Sequence, residues 1–318
     1  MRVFCYESFR LPLPAHHRFP AGKYAALRAR VDAWGRVQPE LAPAATDTEI
    51  LRAHTPAYLE KVTLGTLSRA EQTAIGLPWS PELALRARRS VGATLAACRA
   101  ALEDGVSASL AGGTHHAHAD RGEGFCVFND TVIAIHAVRA EQRTEKVLVI
   151  DCDVHQGDGT AALLAGDARS FTLSLHAASN YPFTKQASDL DVPLADRTGD
   201  RDYLRALEAA LAQAFARFRP ELAIYVAGAD AYDRDRLGKL SLSKKGLARR
   251  DRLVFEACRE RGVPVALTMG GGYADPIEDT VDIYFATLRE AWRAARKAMP
   301  GAGPAGRAPA GKSISPAA

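Results

Sequence analysis

Cysteine is scarce in this chain and follows no pattern. The 318 residues contain five (Cys5, Cys98, Cys126, Cys152 and Cys258), an odd number, widely spaced, with no C-x-x-C pair. That excludes a disulfide framework and a thiolate zinc site, and the five read as free thiols of a reducing compartment. Cys126 and Cys152 fall inside motifs described below, but the default reading of both is a small buried hydrophobe. Runs of five or more Lys/Arg are absent despite a net charge of +4. Nucleic-acid binding therefore has no compositional support, and the basic excess reads as solvated surface. No apolar run approaches the ~18 residues of a membrane span. The first ten residues lack the basic and then apolar character of a secretory signal. A cytoplasmic protein without membrane or nucleic-acid partners is expected. No internal repeat is visible, and nothing specifies an oligomeric state.

What is present is ordinary globular composition, 47% hydrophobic and 25% charged, enough for one large α/β domain or two smaller ones. From Lys297 onward the chain is rich in Pro, Ala and Gly with little to bury, so 297–318 is expected to be a disordered tail. Residues 81–103 form the clearest helix, with Ser80 at the N-cap, Pro81 in the first turn and Gly105 as the stop. Four short apolar runs, 107–111, 147–150, 222–227 and 263–269, have the character of strands buried on both faces of a parallel sheet. Helical stretches such as 202–218 and 244–261 separate them, giving the β-α-β rhythm of a doubly wound fold.

Each run leads into a cluster of His, Asp or Gly. The first gives Gly112-Gly113-Thr114-His115-His116, and the second gives Asp151-Cys152-Asp153-Val154-His155-Gln156-Gly157-Asp158. The third gives Gly228-Ala229-Asp230 and the fourth Gly270-Gly271-Gly272-Tyr273. Ligands of open parallel sheets bind beyond the carboxyl ends of the strands. Four such coincidences locate a site.

Extended segments alternate faces, so Asp151, Asp153 and His155 share one face as the second run ends. Asp153 and His155 can close on one cation, with Asp230 as third ligand. Two carboxylates and an imidazole suit Zn²⁺ or Fe²⁺ with a position open for water, which is a catalytic arrangement. Such an ion acidifies water. Hydrolysis then needs a base and an acid, for which His115 and His116 are the candidates, with Asp151 and Asp158 available to orient them. Tyr273 is available to donate its O–H to a developing oxyanion. Taken singly, a His pair is more often plain polar structure and three glycines a turn. An EF-hand fails because Ala162 occupies its twelfth position, and the Gly270 cluster does not fit G-x-G-x-x-G.

Together these residues resemble the arginase/deacetylase superfamily, and within it the histone deacetylases. GGTHHAHADRGEGFCVFND (112–130), VIDCDVHQGDGT (149–160), AGADAY (227–232) and MGGGY (269–273) match that family in order, spacing and content. The likeness spans about positions 3 to 290, and HRFP (17–20) and NYPF (180–183) look most like bacterial relatives of class IV. The resemblance implies a three-layer α/β/α fold with a central, mostly parallel eight-stranded sheet, with residues 1–296 as the catalytic domain. It implies metal ligands Asp153, His155 and Asp230, with His116 as general base and acid and His115 as its electrostatic neighbour. Asp151 would orient His115, Asp158 would orient His116, and Tyr273 would polarise the carbonyl. A structural potassium would sit on Asp151, the main chain at Asp153, His155 and Leu175, and Ser174. An acyl-lysine tunnel would pass between Phe125 and Tyr181, over Gly124 and Gly271, with Gly124 accepting the substrate's amide proton.

Two departures stand out. The stretch 76–81 (GLPWSP) lacks the Asp with which many relatives grip the substrate backbone. Gly157 and Tyr232 stand where the arginase branch has the Asp ligands of a second metal. The implied activity is removal of acyl groups from lysine in proteins or peptides. The alternatives are a small acylated amine such as an acetylated polyamine as substrate, or a silent acyl-lysine binder.

Overall fold

The computed structural model describes residues 1–6, 11–14 and 17–297. All of the expected tail but Lys297 lies outside the described residues. Eight strands form one sheet: β1 (Val3–Cys5), β2 (Pro39–Leu41), β3 (Val106–Ser109), β4 (Val147–Asp151), β5 (Ser170–Ala177), β6 (Leu190–Leu194), β7 (Leu222–Val226) and β8 (Val265–Thr268). Their order is β2-β1-β3-β8-β7-β4-β5-β6, and every pairing is parallel. The four apolar runs are β3, β4, β7 and β8, and they stand side by side at the centre of the sheet. Of the other four strands, β1 and β2 are only three residues long, too short for a periodicity to register. The edge strand β6 is only half-buried, and β5 mixes Ser, Thr and His with its apolar residues.

Alternation along each central strand feeds two cores. Leu148, Ile150, Cys152 and Val154 point to one face, where they pack with helices Lys23–Trp34, Asp200–Arg217, Lys244–Glu260 and Ile277–Ala295. Val147 and Val149 point to the other, against helices Pro81–Asp104 and Asp130–Ala140. The alternation runs on past the strand end, which leaves Asp151, Asp153 and His155 on the side away from Cys152 and Val154. Helix Pro81–Asp104 is bounded as its caps require: the Ser80 hydroxyl accepts the Leu83 N–H at 3.2 Å, and Gly105 ends it at φ 81°.

Register brings the carboxyl ends flush. Asp151 pairs with Val226 and Ser174, and Val226 pairs with Thr268. The loops after β3, β4, β7 and β8 therefore start at one level. They also approach closely: a Cβ on Gly113 (φ +75°) would lie 2.6 Å from the Gly270 Cα. Only glycine tolerates both that backbone angle and that contact.

Beneath the loops lies Arg250, fully buried on helix Lys244–Glu260. Its Nη1 donates to the Gly228 carbonyl at 2.6 Å and to the Cys152 carbonyl at 3.3 Å, tying the loops after β4 and β7 together. Its charge is met by Asp251 at 2.8 Å, which also accepts from Tyr225 and Thr287. Arg250→Met is expected to cost about 3–5 kcal/mol, because it leaves Asp251 buried without its cation. Urea unfolding measures this, and a loss under about 1 kcal/mol would show that the loops do not depend on the guanidinium.

Candidate active site

The two histidines that follow β3 are buried with their rings 4.1 Å apart. Each uses Nδ1 on an aspartate, His115 on Asp151 and His116 on Asp158, both at 2.6 Å. That leaves each Nε2 for other partners, and His115 Nε2 lies 3.8 Å from Asp153 Oδ1. Their electrostatics diverge. Burial works against charge on His115, but Asp151 and Asp153 outweigh it and lift the imidazole to about 9. Burial, and then the charge of His115, push His116 down to about 4. Their surroundings thus push the two rings in opposite directions, His115 towards the charged form and His116 towards the neutral one.

Asp153, His155 and Asp230 meet below them. Their ligand atoms all lie within 4.8 Å of one another, and all three residues are buried. His155 Nδ1 is 3.0 Å from Asp153 Oδ1 and 3.2 Å from Asp230 Oδ2. Ligands about 2.1 Å from a tetrahedral centre sit roughly 3.4 Å apart, so the trio has the spacing of one shared cation. Other donors are already committed. Asp153 accepts from the backbone N–H of His155 and, at 2.6 Å, of Gly271, and Asp230 Oδ1 accepts from Val154. Asp230 Oδ2, near His155 but outside hydrogen-bonding geometry, is buried with no donor. An orphaned carboxylate oxygen between an acid and an imidazole is the feature a divalent ion would satisfy, and the donor set fits one. Burial, and then Asp153, push Asp230 above the usual carboxylate range.

Tyr273 completes the wall. Its N–H donates to Asp235 at 2.6 Å and its carbonyl accepts from Arg236 at 3.1 Å. Burial, with Asp230 and Asp153, holds the phenol far above its ordinary value, so it remains an O–H donor. The preceding glycines are fixed by two side chains that sequence reading did not find. Buried Lys23 donates to the Gly272 carbonyl at 3.0 Å and to the Tyr284 hydroxyl at 3.1 Å, and Tyr284 reaches the carbonyls of Gly270 and Gly271 at 2.8 and 2.9 Å. Burial lowers Lys23 to about 8. A lone lysine 249 residues from its partner carries no sequence signal.

A cavity of about 440 Å³ descends to His116, His155 and Tyr273 between Phe125 and Tyr181. Gly124 lines it; Gly271 lies deeper, beside Asp153 and His155. Phe125 holds a positive φ of 67°, fixed by its N–H on the Ile75 carbonyl at 2.7 Å, strain of the kind that gathers at functional sites. The stretch 76–81 comes to the same mouth through Gly76, and it brings no acid there. Cys126 lines the inner cavity, whereas Cys152 faces the core. Ser174 is the register partner of Asp151, with Leu175 beside it, and its hydroxyl is engaged with His176 Nδ1 at 3.0 Å. Gly157 packs against Asp151, and the Tyr232 hydroxyl turns to Asp279 at 3.3 Å, so neither adds a ligand to the trio. Among the described residues a second grouping has metal-compatible spacing, His118, Glu123 and Asp158. Sequence reading missed His118 and Glu123.

The chain matches the family model for the histone deacetylase domain over residues 17–288. An uncharacterized protein of Picosynechococcus sp. is 40% identical over 282 residues, 88% of this chain and 94% of that one. The histone deacetylase-like amidohydrolase of Pseudomonas aeruginosa is 31% identical over 287 residues, covering 83% and 74% of the two chains. Histone deacetylase 2 of Arabidopsis thaliana is 35% identical over 239 residues, 72% and 62%. Among solved structures, an HDAC homologue from Aquifex aeolicus has the same fold, with TM-score 0.78 over 92% of this chain and 84% of that one at 22% identity. The chain belongs to the histone deacetylase family and has the arginase/deacetylase fold.

Asp230→Asn keeps the shape but removes the charge of the orphaned oxygen. It is expected to weaken binding of Zn²⁺ by more than about 10–100-fold, the loss that perturbing even an outer-shell partner of a metal brings. Calorimetric titration of the metal-free chain checks this. Unchanged affinity would remove Asp230 from the ligand set.

Proposed function

We propose that this protein is an amidohydrolase that removes acetyl or longer acyl groups from lysine side chains in proteins or peptides. One observation carries the reading. Two members of a cation-ready trio (Asp153 and His155, with Asp230 buried behind them), a neutral imidazole (His116) and a protonated phenol (Tyr273) face one narrow cavity. A divalent ion on that trio, zinc or in its place iron(II), supplies an acidified water and a polarised carbonyl. A monovalent cation, potassium, belongs to the same proposal. It would rest on Asp151, the main chain at Asp153, His155 and Leu175, and Ser174; the β4–β5 register that sets Ser174 beside Asp151 supports it.

The chain's own groups do the rest. His116, neutral and fixed through Nδ1 on Asp158, takes a proton at Nε2 and returns it to the departing amine. His115, held through Nδ1 on Asp151, is the electrostatic neighbour of His116 beside the forming oxyanion. Tyr273 donates its O–H to that oxygen. The Gly124 carbonyl accepts the substrate's amide proton, and Phe125 and Tyr181 flank the aliphatic stem. Amide and water become carboxylate and ammonium, with no net proton left over. The catalytic unit is assigned to residues 1–296, with 297–318 as a tail and a cytoplasmic location. Among the described residues, no helix is long and apolar enough to cross a membrane.

The cavity mouth supports this reading over a polyamine substrate. Arg18 and Lys239 line it, alongside Tyr181, Phe183 and Leu237, and among the described residues no carboxylate does. A cationic chain would be repelled there. An acetyl-lysine peptide is expected to be cleaved with a kcat/KM at least about tenfold above that of acetylputrescine, the step given by one 1.4 kcal/mol unfavourable charge contact. The reverse order would transfer the assignment to small amines. Tyr273→Phe is expected to retain metal and to lose about two orders of magnitude in kcat, the cost of one oxyanion donor. Near-normal turnover in that variant would remove Tyr273 from the mechanism.

A further inference from the structure

Asp158 is shared. Its Oδ1 meets His116 Nδ1 at 2.6 Å, and its Oδ2 meets His118 Nε2 at 3.1 Å, with all three residues buried. We propose that His118 is a positioning residue, acting through Asp158 to hold His116 in place as the base. The inference rests on the reading of His116 given above.

The surroundings support it. His118 is itself fixed, since its backbone N–H donates to the Arg121 carbonyl at 2.9 Å. Glu123 comes within 4.8 Å of both the His118 ring and Asp158. It accepts from Arg121 Nε and from the Tyr181 hydroxyl, both at 2.6 Å. The Tyr181 ring then closes on His116 edge-on at 4.9 Å. His118, Asp158, Glu123 and Tyr181 thus encircle the base.

Two physical consequences follow. A carboxylate with one donor can swing about its Cβ–Cγ bond, whereas donors on both oxygens fix its plane and with it the His116 ring. The second donor also draws charge from the first, so Asp158 accepts less strongly from His116 and leaves it neutral. Without His118, Oδ2 would be a buried acceptor with nothing to accept. A divalent ion on His118, Glu123 and Asp158 is the competing use of these groups. It is disfavoured because donors already occupy both oxygens of each acid.

The test uses the full chain, its His118→Ala and His118→Gln variants, and two readings. Gln places an amide N–H near the position of the imidazole Nε2, so it restores the donor without the ring. In the first reading, the Nδ1–H proton resonance of His116 is expected to move in His118→Ala and to return in His118→Gln. In the second, kcat on an acetyl-lysine peptide is expected to fall about tenfold in His118→Ala with KM little changed, and to recover in His118→Gln. An unmoved resonance with full kcat in His118→Ala would overturn the proposal. So would a His118→Gln variant as impaired as His118→Ala, which would mean that the ring's bulk matters and its donor does not. If the resonance responds as expected but no variant, nor the parent chain, cleaves any acyl-lysine, the clamp stands and the deacylase reading fails.

Discussion

Two carboxylates, Asp153 and Asp230, are held together out of water with too few donors to satisfy them. Burying one carboxylate is costly, and burying two side by side is untenable unless a positive charge joins them. Backbone N–H groups from His155, Gly271 and Val154 offset part of the cost, and one oxygen of Asp230 is left over. Around this deficit the rest of the site is arranged. Arg250 grips the carbonyls of Gly228 and Cys152 from below, and Lys23 with Tyr284 grips the glycine loop from the side. The rigid elements hold the acids against each other.

The sheet supplies the convergence. Because β3, β8, β7 and β4 are neighbours with flush ends, four loops far apart in sequence share one small volume. The same adjacency makes the glycines necessary, since Gly113 and Gly270 pass within a distance no Cβ allows. The histidine pair then acquires unlike states from its neighbours. His115 sits among Asp151 and Asp153 and is pushed towards the charged form, while burial, and then His115, push His116 towards the neutral one.

Much of this was legible in the sequence, for a specific reason. Strands buried on both faces must be apolar throughout, so 147–150 and 222–227 stand out, and the chemistry-bearing residues follow them directly. Alternation put Asp153 and His155 on one side, and the caps of helix Pro81–Asp104 were readable from Ser80, Pro81 and Gly105. The short strands β1 and β2 and the half-buried β6 left no periodic trace. The supporting side chains were hidden for a different reason. Lys23, Arg250 and His118 act on carbonyls or carboxylates that only the folded chain brings near, and a lone Lys, Arg or His has no spacing to read. The expected eight-stranded, mostly parallel sheet is present, and every pairing in it is parallel.

A site for one divalent ion can be titrated by stripping the protein of metal and adding Zn²⁺ back in increments while following acetate release from an acetyl-lysine peptide. Activity should be absent at the start, rise in proportion to added metal, and level off at one equivalent per chain. Turnover by the metal-free protein, or a plateau only at two equivalents, would contradict a site built on one divalent ion.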